Sequence, residues 1–376
     1  MSKYDKLNSR MIEIMDAISQ PAAPYYEGLV ANAIENTLTP LKSNPNVQVF
    51  RDRYGNLVAC YRHPEARYTA SLAAAAHTDH PGYHLVSAEG KEAVASIQGG
   101  LPRDERLPGS AMLIFRGDYN NRGTIVDFAD DEKSTVRVKL DENWEGGVEH
   151  AWGVPDVERF LVDGDLIRGR AMDDLVGCAQ QIAALELFVQ EEMLIEYTAV
   201  FNRAEEVGFV GAVGACELGT IPTRSIVLCL EASKELEGAR PGDGIILRTG
   251  DRQSVFDPVV SELLEKAGEK STENGYPFQK KRMDGGTCEA SLYVAYGYET
   301  GALAVPLINY HNQGDGAIEA EAIHINDLAG GVVMQVELAK LLVDAKRVPR
   351  DFFRENRRAW FMDKVKLLLD SGRSQG

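Results

Sequence analysis

Two adjacent glutamates, Glu205 and Glu206, follow a strand-like run at residues 197–201 and precede a glycine-punctuated helical stretch. Adjacent residues that leave a strand point in different directions, so one carboxylate can hold a metal ion while its neighbour faces a reacting water. Metal-assisted hydrolysis needs this combination of a ligand and a base. Taken alone, the pair is better explained as two solvated glutamates at a strand end, because charged residues are mostly exposed.

The other residues capable of this chemistry also lie at predicted strand ends or helix starts. Imidazoles and carboxylates are the ligands of zinc-like ions, which keep one position open for water in catalysis. Asp173 is expected to bridge two ions, and Asp79 is placed to accept the second ring N–H of His77. Each residue alone has a plain structural explanation: Asp173 could cap the following helix, and His311 could donate to a nearby carbonyl. Their common position favours a two-metal hydrolytic site made from His77, Asp79, Asp173, Glu205, Glu206, Glu231 and His311.

The segments that would position these residues predict an α/β fold. An alanine-rich buried strand ends at His77, a second buried strand ends on Glu231, and a third delivers His311. Small residues in a buried strand indicate close packing against helices, as in a parallel sheet, and such sheets bind ligands beyond the carboxyl ends of their strands. Asp327 is predicted to cap a long final helix that ends near residue 345, and a basic tail follows it.

The pattern changes between about residues 85 and 165. Short β-like runs alternate there with glycine and charged turns, and no long helix is predicted. This segment is interpreted as a small β-rich domain inserted into the α/β chain. The predicted fold is therefore a mixed, largely parallel sheet flanked by helices. Residues 1–84 plus 166–376 form its two-metal catalytic domain, and residues 85–165 form the insertion.

Composition excludes several classes of partner. The net charge of −17 argues against nucleic acid and against an anionic membrane surface. No apolar run reaches transmembrane length, so no membrane is expected. The five cysteines are scattered and lack paired spacing, which suits free thiols in a reducing cytoplasm. A cytoplasmic location is therefore expected.

A set of short motifs runs along nearly the whole chain and, taken together, is specific. These motifs are His77-Thr78-Asp79, Arg170-Ala171-Met172-Asp173-Asp174 with Gly177, Glu205-Glu206-Val207-Gly208 with Gly211-Ala212, Gly285-Gly286-Thr287, and His311 after a strand that contains proline. The sequence resembles the M42 family of co-catalytic metallo-aminopeptidases, within the wider M20/M42 clan. The spacing favours M42, because the long interval between His77 and Asp173 holds the insertion, whereas M20 enzymes carry their extra domain later in the chain.

The resemblance implies a zinc-peptidase-like fold whose insertion serves oligomerisation and substrate access. The expected partners are a peptide or small amide and further copies of the chain, in a dimer-based homo-oligomer that extends to a dodecamer. Two divalent ions per subunit are implied, zinc first, with cobalt and manganese also suited to such ligands. Glu205 would be the general base, and Asp79 would orient His77. One ion would be held by His77, Asp173 and Glu231, and the other by Asp173, Glu206 and His311.

The surroundings of the expected substrate depart from the family pattern. The aspartate expected after the Gly285-Gly286-Thr287 turn is replaced by Cys288-Glu289, with Glu289 as a stand-in shifted by one position. His80 stands where relatives usually have an acidic residue. For His80 and the nearby His84, a loop hydrogen bond is favoured over a third metal site. Substrate binding is assigned to Gly286, Thr287, Glu289 and His80.

The predicted function is that of a metal-dependent aminopeptidase, in which a metal-activated water attacks the first peptide bond and Glu205 moves the proton. Two alternatives remain open. One is an M20-like amidohydrolase that deacylates small N-acyl amino acids, and the other is a non-catalytic scaffold that kept the fold.

Overall fold

The computed structural model of the protein describes Tyr4, residues 6–67 and residues 70–344. The predicted basic tail, residue 345 and the first two residues of the predicted alanine-rich strand lie outside the described residues. None of the helices in the described part of the chain combines the length and apolar character that a membrane crossing requires. Short 3₁₀ turns lie at Thr39–Ser43 and Tyr310–Asn312. The α-helices are α1 (Leu7–Ile18), α2 (Gly28–Leu38), α3 (Met172–Gln190), α4 (Val210–Leu218), α5 (Pro258–Glu273), α6 (Glu289–Ala295) and α7 (Ile325–Asp344).

The strands build a central sheet, a small side sheet and a closed barrel. In chain order they are β1 (Val47–Arg51), β2 (Leu57–Arg62), β3 (Ser71–His77), β4 (Gly82–Glu89), β5 (Glu92–Gln98), β6 (Ala111–Arg116), β7 (Tyr119–Phe128), β8 (Thr135–Leu140), β9 (Trp152–Pro155), β10 (Phe160–Asp163), β11 (Leu166–Gly169), β12 (Glu196–Asn202), β13 (Ile226–Lys234), β14 (Ile245–Arg248), β15 (Phe278–Lys281), β16 (Glu299–Leu307) and β17 (Glu321–His324).

The central sheet is mixed, with a parallel centre. Its strand order is β1-β2-β12-β3-β13-β16-β14-β15. The neighbours β12, β3, β13 and β16 run parallel, whereas the β1–β2, β2–β12 and β16–β14 pairs are antiparallel. Every residue of β3 is buried, which a parallel strand covered on both faces requires. The carboxyl ends of these four parallel strands therefore meet at one edge of the sheet.

Helices cover both faces of this sheet. Successive side chains of β3 point to opposite faces, as the pleat of a strand dictates. Leu72, Ala74 and Ala76 pack into the main core with α1, α3 and α7, while Ala73 and Ala75 pack with α4 and α6. The small alanine side chains let helices approach closely on either side. This packing fixes where the end of β3 lies.

The insertion is a closed barrel with strand order β4-β5-β8-β7-β6-β9. Closure leaves no unpaired strand edge. The barrel has its own apolar core, and β8 shows the alternation that builds it: Val136, Val138 and Leu140 are buried, while Arg137 and Lys139 face solvent. The predicted fold class, a mixed and largely parallel α/β sheet with an inserted β-rich domain, is confirmed.

Two predicted details are wrong. β13 does not end on Glu231 but continues to Lys234, because its partner β16 runs alongside over the same length. Asp327 does not cap its own helix, since α7 has already begun when the chain reaches it. Its carboxylate instead accepts the backbone N–H groups of Gly242, at 2.7 Å, and Gly244, at 2.9 Å. Asp327 therefore fixes a neighbouring loop to the start of α7.

Candidate metal centre and active site

Neighbouring strands of the central sheet deliver the candidate ligands to one edge. His77 is the last residue of β3, Glu205 and Glu206 follow β12, Glu231 lies in the last part of β13, and His311 follows β16. The four strands are adjacent and parallel, so the residues at their carboxyl ends converge. Their convergence is thus a consequence of the strand order.

Asp173 lies between the two histidines. Its Oδ1 is 3.3 Å from His77 Nε2, and its Oδ2 is 3.5 Å from His311 Nε2. Glu231 Oε1 lies 3.7 Å from the same nitrogen of His77, and Glu206 Oε1 lies 3.2 Å from that of His311. Two trios share Asp173, and within each the potential ligand atoms lie within 4.8 Å of one another: His77, Asp173 and Glu231, and Asp173, Glu206 and His311. A third group, His77, Glu205 and Glu206, meets the same distance criterion.

Several of these atoms lack any hydrogen-bond partner. Within the described residues, His77 Nε2, Asp173 Oδ1 and Glu206 Oε1 are buried and unpaired. Buried polar atoms in folded proteins are nearly always bonded, so unpaired atoms pointing at one another call for a missing partner. A divalent cation in each trio satisfies them, and nitrogen and carboxylate oxygen are ligands that zinc, cobalt and manganese accept.

The charges of the cluster are strongly coupled. Burial lowers the pKa of His77, but Glu205 and Asp173 outweigh burial and raise that pKa well above its ordinary value. Burial also lowers the pKa of His311, but Glu206 and Asp173 outweigh burial and raise that pKa well above its ordinary value. Burial raises the pKa of Asp173, but the two histidines overcome it and lower that pKa. A metal that binds these histidines must therefore compete with protons for the ring nitrogens.

The two histidines are oriented through their second ring nitrogens. His77 Nδ1 lies 3.0 Å from the carbonyl oxygen of Asp79 and 3.6 Å from its Oδ1. A proton on Nδ1 donated to that carbonyl leaves Nε2 free for a metal. The Asp79 carboxylate accepts the backbone N–H of Glu205, at 2.9 Å, and of Glu206, at 3.1 Å. Asp79 thus fixes both the imidazole and the glutamate turn.

Glu205 lies next to the ligands but belongs to neither of the two trios that contain Asp173. Its Oε2 lies 3.8 Å from His77 Nε2, and the residue lines an adjoining cavity. Burial raises the pKa of its carboxyl well above the ordinary value. A buried carboxylate that lines the cavity beside the ligand trios has the position of a proton acceptor.

Glu321 was missed by the sequence analysis. This buried carboxylate begins β17, and its Oε2 accepts the backbone N–H of Met172, at 2.7 Å, and of Asp173, at 3.1 Å. Its Oε1 accepts the backbone N–H of His311, at 2.8 Å. One side chain therefore ties two ligand segments together. The local sequence, Glu319-Ala320-Glu321, resembles any polar turn and carries no signal of this role.

Gly100, in the barrel loop between β5 and β6, was also missed. Its carbonyl oxygen lies 3.2 Å from His311 Nδ1, which leaves Nε2 of that ring as the ligand. A Cβ at Gly100 would lie 2.1 Å from the same Nδ1. The insertion therefore touches the metal centre at a point where only glycine fits. A Gly-Gly pair in a loop indicates only a turn, and nothing in the sequence indicates that this pair contacts His311.

The extra histidines make loop hydrogen bonds. His80 is buried, with Nδ1 2.9 Å from the carbonyl of Asp173 and Nε2 2.9 Å from Asn312 Oδ1. Both ring nitrogens therefore face protein oxygens, and no ring nitrogen is left to contact a substrate. His84 Nε2 lies 2.9 Å from the carbonyl of Pro24. The geometry agrees with the favoured explanation for both residues.

A cavity of about 230 Å³ opens beside the ligand cluster. Its lining includes Glu205 and Asp173 together with Gly286 and Thr287, two of the residues assigned to substrate binding. Arg248 at the end of β14 also lines it and is only 5% exposed. No carboxylate forms an ion pair with this guanidinium within the described residues, and its Nε and Thr287 Oγ1 are buried without a partner. The sequence signal that could have identified Arg248 is its position at the end of an apolar strand.

Glu289, the suggested stand-in, is not among the residues that line this cavity. It is buried at the start of α6, and its Oε2 accepts from Asn202 Nδ2 at 2.8 Å. Burial raises the pKa of its carboxyl to about 8. Its observed contacts are with the protein interior, so the cavity wall itself is made by the residues before it.

The sequence profile of one protein family matches the chain. This family is described as M42 glutamyl aminopeptidase, and the match covers residues 141–334. A search of curated proteins by sequence found no match.

Solved structures share the fold over most of the chain. A TET aminopeptidase from a marine sediment archaeon, Thaumarchaeota archaeon SCGC AB-539-E09, has a TM-score of 0.74 and 17% identity, covering 90% of this chain and 99% of the other. An aminopeptidase from Desulfurococcus kamchatkensis has a TM-score of 0.73 and 21% identity, over 90% and 96%. The TET1 peptidase of Pyrococcus horikoshii, described as assembling into a tetrahedron or a large octahedral shell, has a TM-score of 0.72 and 21% identity, over 88% and 99%. At these identities the likeness concerns the fold.

Proposed function

This chain belongs to the M42 family of glutamyl aminopeptidases and is therefore a metallopeptidase, and from that premise we propose that it removes the N-terminal residue of peptides with two divalent ions and with Glu205 as general base. The observation that carries the proposal is the pair of ligand trios that share Asp173, with Glu205 beside them at the mouth of one cavity. This arrangement supplies ligands, a base and a space for substrate together.

The residues of the two trios would hold the ions. His77, Asp173 and Glu231 would bind one, and Asp173, Glu206 and His311 the other, with zinc as the first choice and cobalt or manganese as alternatives. When bound, the ions would lower the pKa of a coordinated water and polarise the scissile carbonyl. The buried, unpaired His77 Nε2, Asp173 Oδ1 and Glu206 Oε1 support this loading.

Glu205 moves the proton. It takes a proton from the attacking water and delivers it to the nitrogen of the departing peptide. Burial raises the pKa of this carboxyl, which makes the carboxylate a stronger proton acceptor. Asp79 holds the backbone of Glu205 and Glu206 in place, so that one carboxylate faces the reaction and the other faces His311.

The cavity favours an acidic N-terminal residue. Its volume of about 230 Å³ lies below the roughly 300–1,000 Å³ of drug-sized sites, so it suits a single side chain. Arg248 contacts Ser233 Oγ at 3.3 Å and the carbonyl of Met283 at 3.5 Å, both weak partners for a buried cation. A substrate carboxylate would complete its hydrogen bonding. The family description as glutamyl aminopeptidases supports the same preference.

The insertion joins subunits into a homo-oligomer built from dimers. One similar structure is described as a dodecamer in the asymmetric unit, and another as assembling into a tetrahedron or a large octahedral shell. We assign residues 85–165 to this insertion and residues 1–84 plus 166–376 to the catalytic domain; the barrel strands themselves run from Gly82 in β4 to Pro155 in β9. Light scattering should give a mass many times the 41.3 kDa of one chain; a monomer would contradict this part of the proposal. The five free cysteines suit a reducing cytoplasm.

The test is hydrolysis of a panel of aminoacyl-chromophore substrates with glutamyl, aspartyl, leucyl and lysyl groups, with added Zn²⁺, Co²⁺ or Mn²⁺ or with a chelator. We expect metal-dependent release, fastest for the glutamyl substrate. Arg248→Gln should lower glutamyl turnover roughly 10- to 100-fold, the scale of a charged hydrogen bond of about 1.5–3 kcal/mol, and should leave leucyl turnover nearly unchanged.

The same panel separates the alternatives. Metal-loaded protein that ignores free-amine substrates but cleaves N-acylated amides would be an M20-like deacylase. Protein that binds metal and cleaves neither class would be a scaffold without catalysis. Either result contradicts the aminopeptidase assignment.

A further inference from the structure

Two buried thiols lie side by side against the metal centre, and the hydrolytic mechanism uses neither. Cys229 lies in β13, and Cys288 lies in the turn before α6; both are free and almost fully buried. Their sulfurs and a carboxylate oxygen of Glu231 lie within 4.8 Å of one another. The two cysteines come from distant parts of the chain, and the fold alone brings them together.

The other cysteines have different surroundings. Cys178 donates its S–H to the carbonyl of His77 at 3.2 Å, and Cys60 donates to Thr198 Oγ1 at 3.9 Å. Cys216 is half-buried on α4. Because Cys60 and Cys216 lie away from the ligand trios, they offer matched controls for thiol chemistry at the metal centre.

Access distinguishes the two thiols of the pair. Cys288 is among the residues that line the cavity together with Glu205 and Glu231, so it is the thiol of the pair nearer to a small oxidant that enters. Cys229 is fully buried in the central sheet and does not line the cavity. One thiol is thus placed to be oxidised from solution and the second is placed to react with the product.

We propose that hydrogen peroxide converts Cys288 and Cys229 into an intrachain disulfide that switches the active site off. The sulfur of Cys288 attacks one peroxide oxygen, the O–O bond breaks, and one water leaves, which gives a sulfenic acid on Cys288. The sulfur of Cys229 attacks that sulfur, the S–O bond breaks, and a second water leaves. Two thiols are oxidised by two electrons, and one peroxide is reduced to two waters.

The disulfide would disturb the metal centre through Glu231. Alternate residues of a strand share a face, so Cys229 and Glu231 point to the same side of β13, with Cys229 Sγ 3.9 Å from Glu231 Oε2. A disulfide shortens the sulfur–sulfur distance to about 2.05 Å. Since Cys229 is anchored in the sheet, the turn carrying Cys288 must move toward it. That movement displaces Gly286 and Thr287 from the cavity wall and removes the S–H that faces Glu231.

The effect on hydrolysis rests on the proposed function, whereas formation of the disulfide does not, so the experiment measures both. Metal-loaded protein is treated with hydrogen peroxide, quenched, alkylated, digested without reduction and analysed by mass spectrometry. We expect a cross-linked peptide pair containing Cys229 and Cys288, with two hydrogens fewer than the two thiols. Glutamyl-substrate hydrolysis should fall roughly 100-fold, the scale of a misplacement of about 1 Å, and dithiothreitol should restore it.

Variants isolate the pair. Cys288→Ala and Cys229→Ala should lose the cross-link and the reversible inactivation, whereas Cys60→Ala and Cys216→Ala should keep both. The cross-link in wild-type protein is read without any variant, so a variant that fails to fold leaves the test intact. Two thiols that remain alkylatable after peroxide, or sulfinic acid on Cys288 without a cross-link, would overturn the proposal. A cross-link that leaves metal content and hydrolysis unchanged would overturn the switch.

Discussion

Two parts of the active site, the metal centre and the glycine turn that lines the adjoining cavity, are built differently; we call them the metal end and the turn end. At the metal end, formed by His77, Asp173, Glu206, Glu231 and His311, neighbouring backbone groups hold the side chains and no room is left: a Cβ at Gly100 would lie 2.1 Å from His311 Nδ1. At the turn end, formed by Gly285, Gly286, Thr287 and Arg248, a Cβ on either glycine meets nothing within 4 Å.

This difference indicates that the metal end holds the ions in fixed positions, whereas the turn end recognises the substrate and tolerates substitution. Unpaired atoms at the metal end point at one another, which suits ions held at set positions. Unpaired donors at the turn end, Arg248 Nε and Thr287 Oγ1, belong to residues that line the cavity. They are therefore available to a substrate, and changes there should alter which substrate is cleaved more than whether cleavage occurs.

The largest expected effect is at Glu205. Glu205→Gln keeps the size of the side chain but removes the base, so kcat/KM should fall by about 100- to 10,000-fold, the range of general acid–base catalysis. Metal content, measured by mass spectrometry of the elements, should not change, because each trio that contains Asp173 keeps its three ligands without Glu205. Loss of an ion would instead make Glu205 a ligand, in its group with His77 and Glu206. Wild-type turnover in this variant would remove Glu205 from the mechanism.

A matched pair of glycine substitutions tests the contrast directly. Gly100→Ala should push the His311 imidazole from its position and lower kcat/KM by about 100-fold, as a misplacement of about 1 Å can. Gly286→Ala meets open space and should fold and bind metal as the wild type does, with altered KM only. Equal losses in the two variants would contradict the difference drawn between the two ends.

Glu321→Gln should weaken metal binding. The change replaces one of the two oxygens that hold the backbone of Asp173 and His311, and supporting groups of this kind are worth about 10- to 100-fold in metal affinity. Competition with a fluorescent chelator measures the affinity. Glu319→Gln, two residues earlier and exposed, is the control and should bind metal normally. An unchanged affinity in Glu321→Gln would show that other contacts hold the ligands.

The smallest effect is a pH dependence of thermal stability. In metal-free protein, carboxylates overcome burial and raise the pKa values of His77 and His311, so these pairs add stability below about pH 6.5 that is lost as pH rises through the folded pKa. Burial raises the pKa of Glu289 to about 8, so ionising this carboxyl in the folded protein costs stability. This cost also grows as the pH rises above about 4.5.

The stability of metal-loaded protein should instead increase as pH rises, because the ions bind deprotonated histidines. The difference in melting temperature between zinc-loaded and chelator-treated protein should therefore widen from pH 6 to pH 8. A constant difference would mean that the histidines do not bind the metal.

The sequence predicted the parts of the site that strand ends deliver. His77, Glu205, Glu206 and His311 follow buried strands, and parallel strands bring such ends together. The chemistry of a two-metal site suggested Asp173 as the bridge, but the two ligand sets came only from the family resemblance, because a residue before a helix could equally be a cap. The family, the α/β fold with its insertion and the assignment as a metallopeptidase are confirmed.

Residues that act across the fold could not be predicted in this way. Glu321 binds the backbone of Asp173, which is 148 positions away, and Gly100 contacts His311 across 211 positions. Contacts of this kind depend on where the barrel loop and β17 dock, and no local periodicity encodes that docking. Glu231 shows a smaller failure, since the length of its strand is set by the partner β16.

The most direct test of the account is the metal content of the wild type and of three ligand variants. We expect two ions per subunit in the wild type, one in Glu206→Gln, one in Glu231→Gln and none in Asp173→Asn. The reason is that Asp173 is the residue shared by the trio with His77 and Glu231 and the trio with Glu206 and His311. A single ion in the wild type, or one ion retained in Asp173→Asn, would contradict a centre built on a shared aspartate.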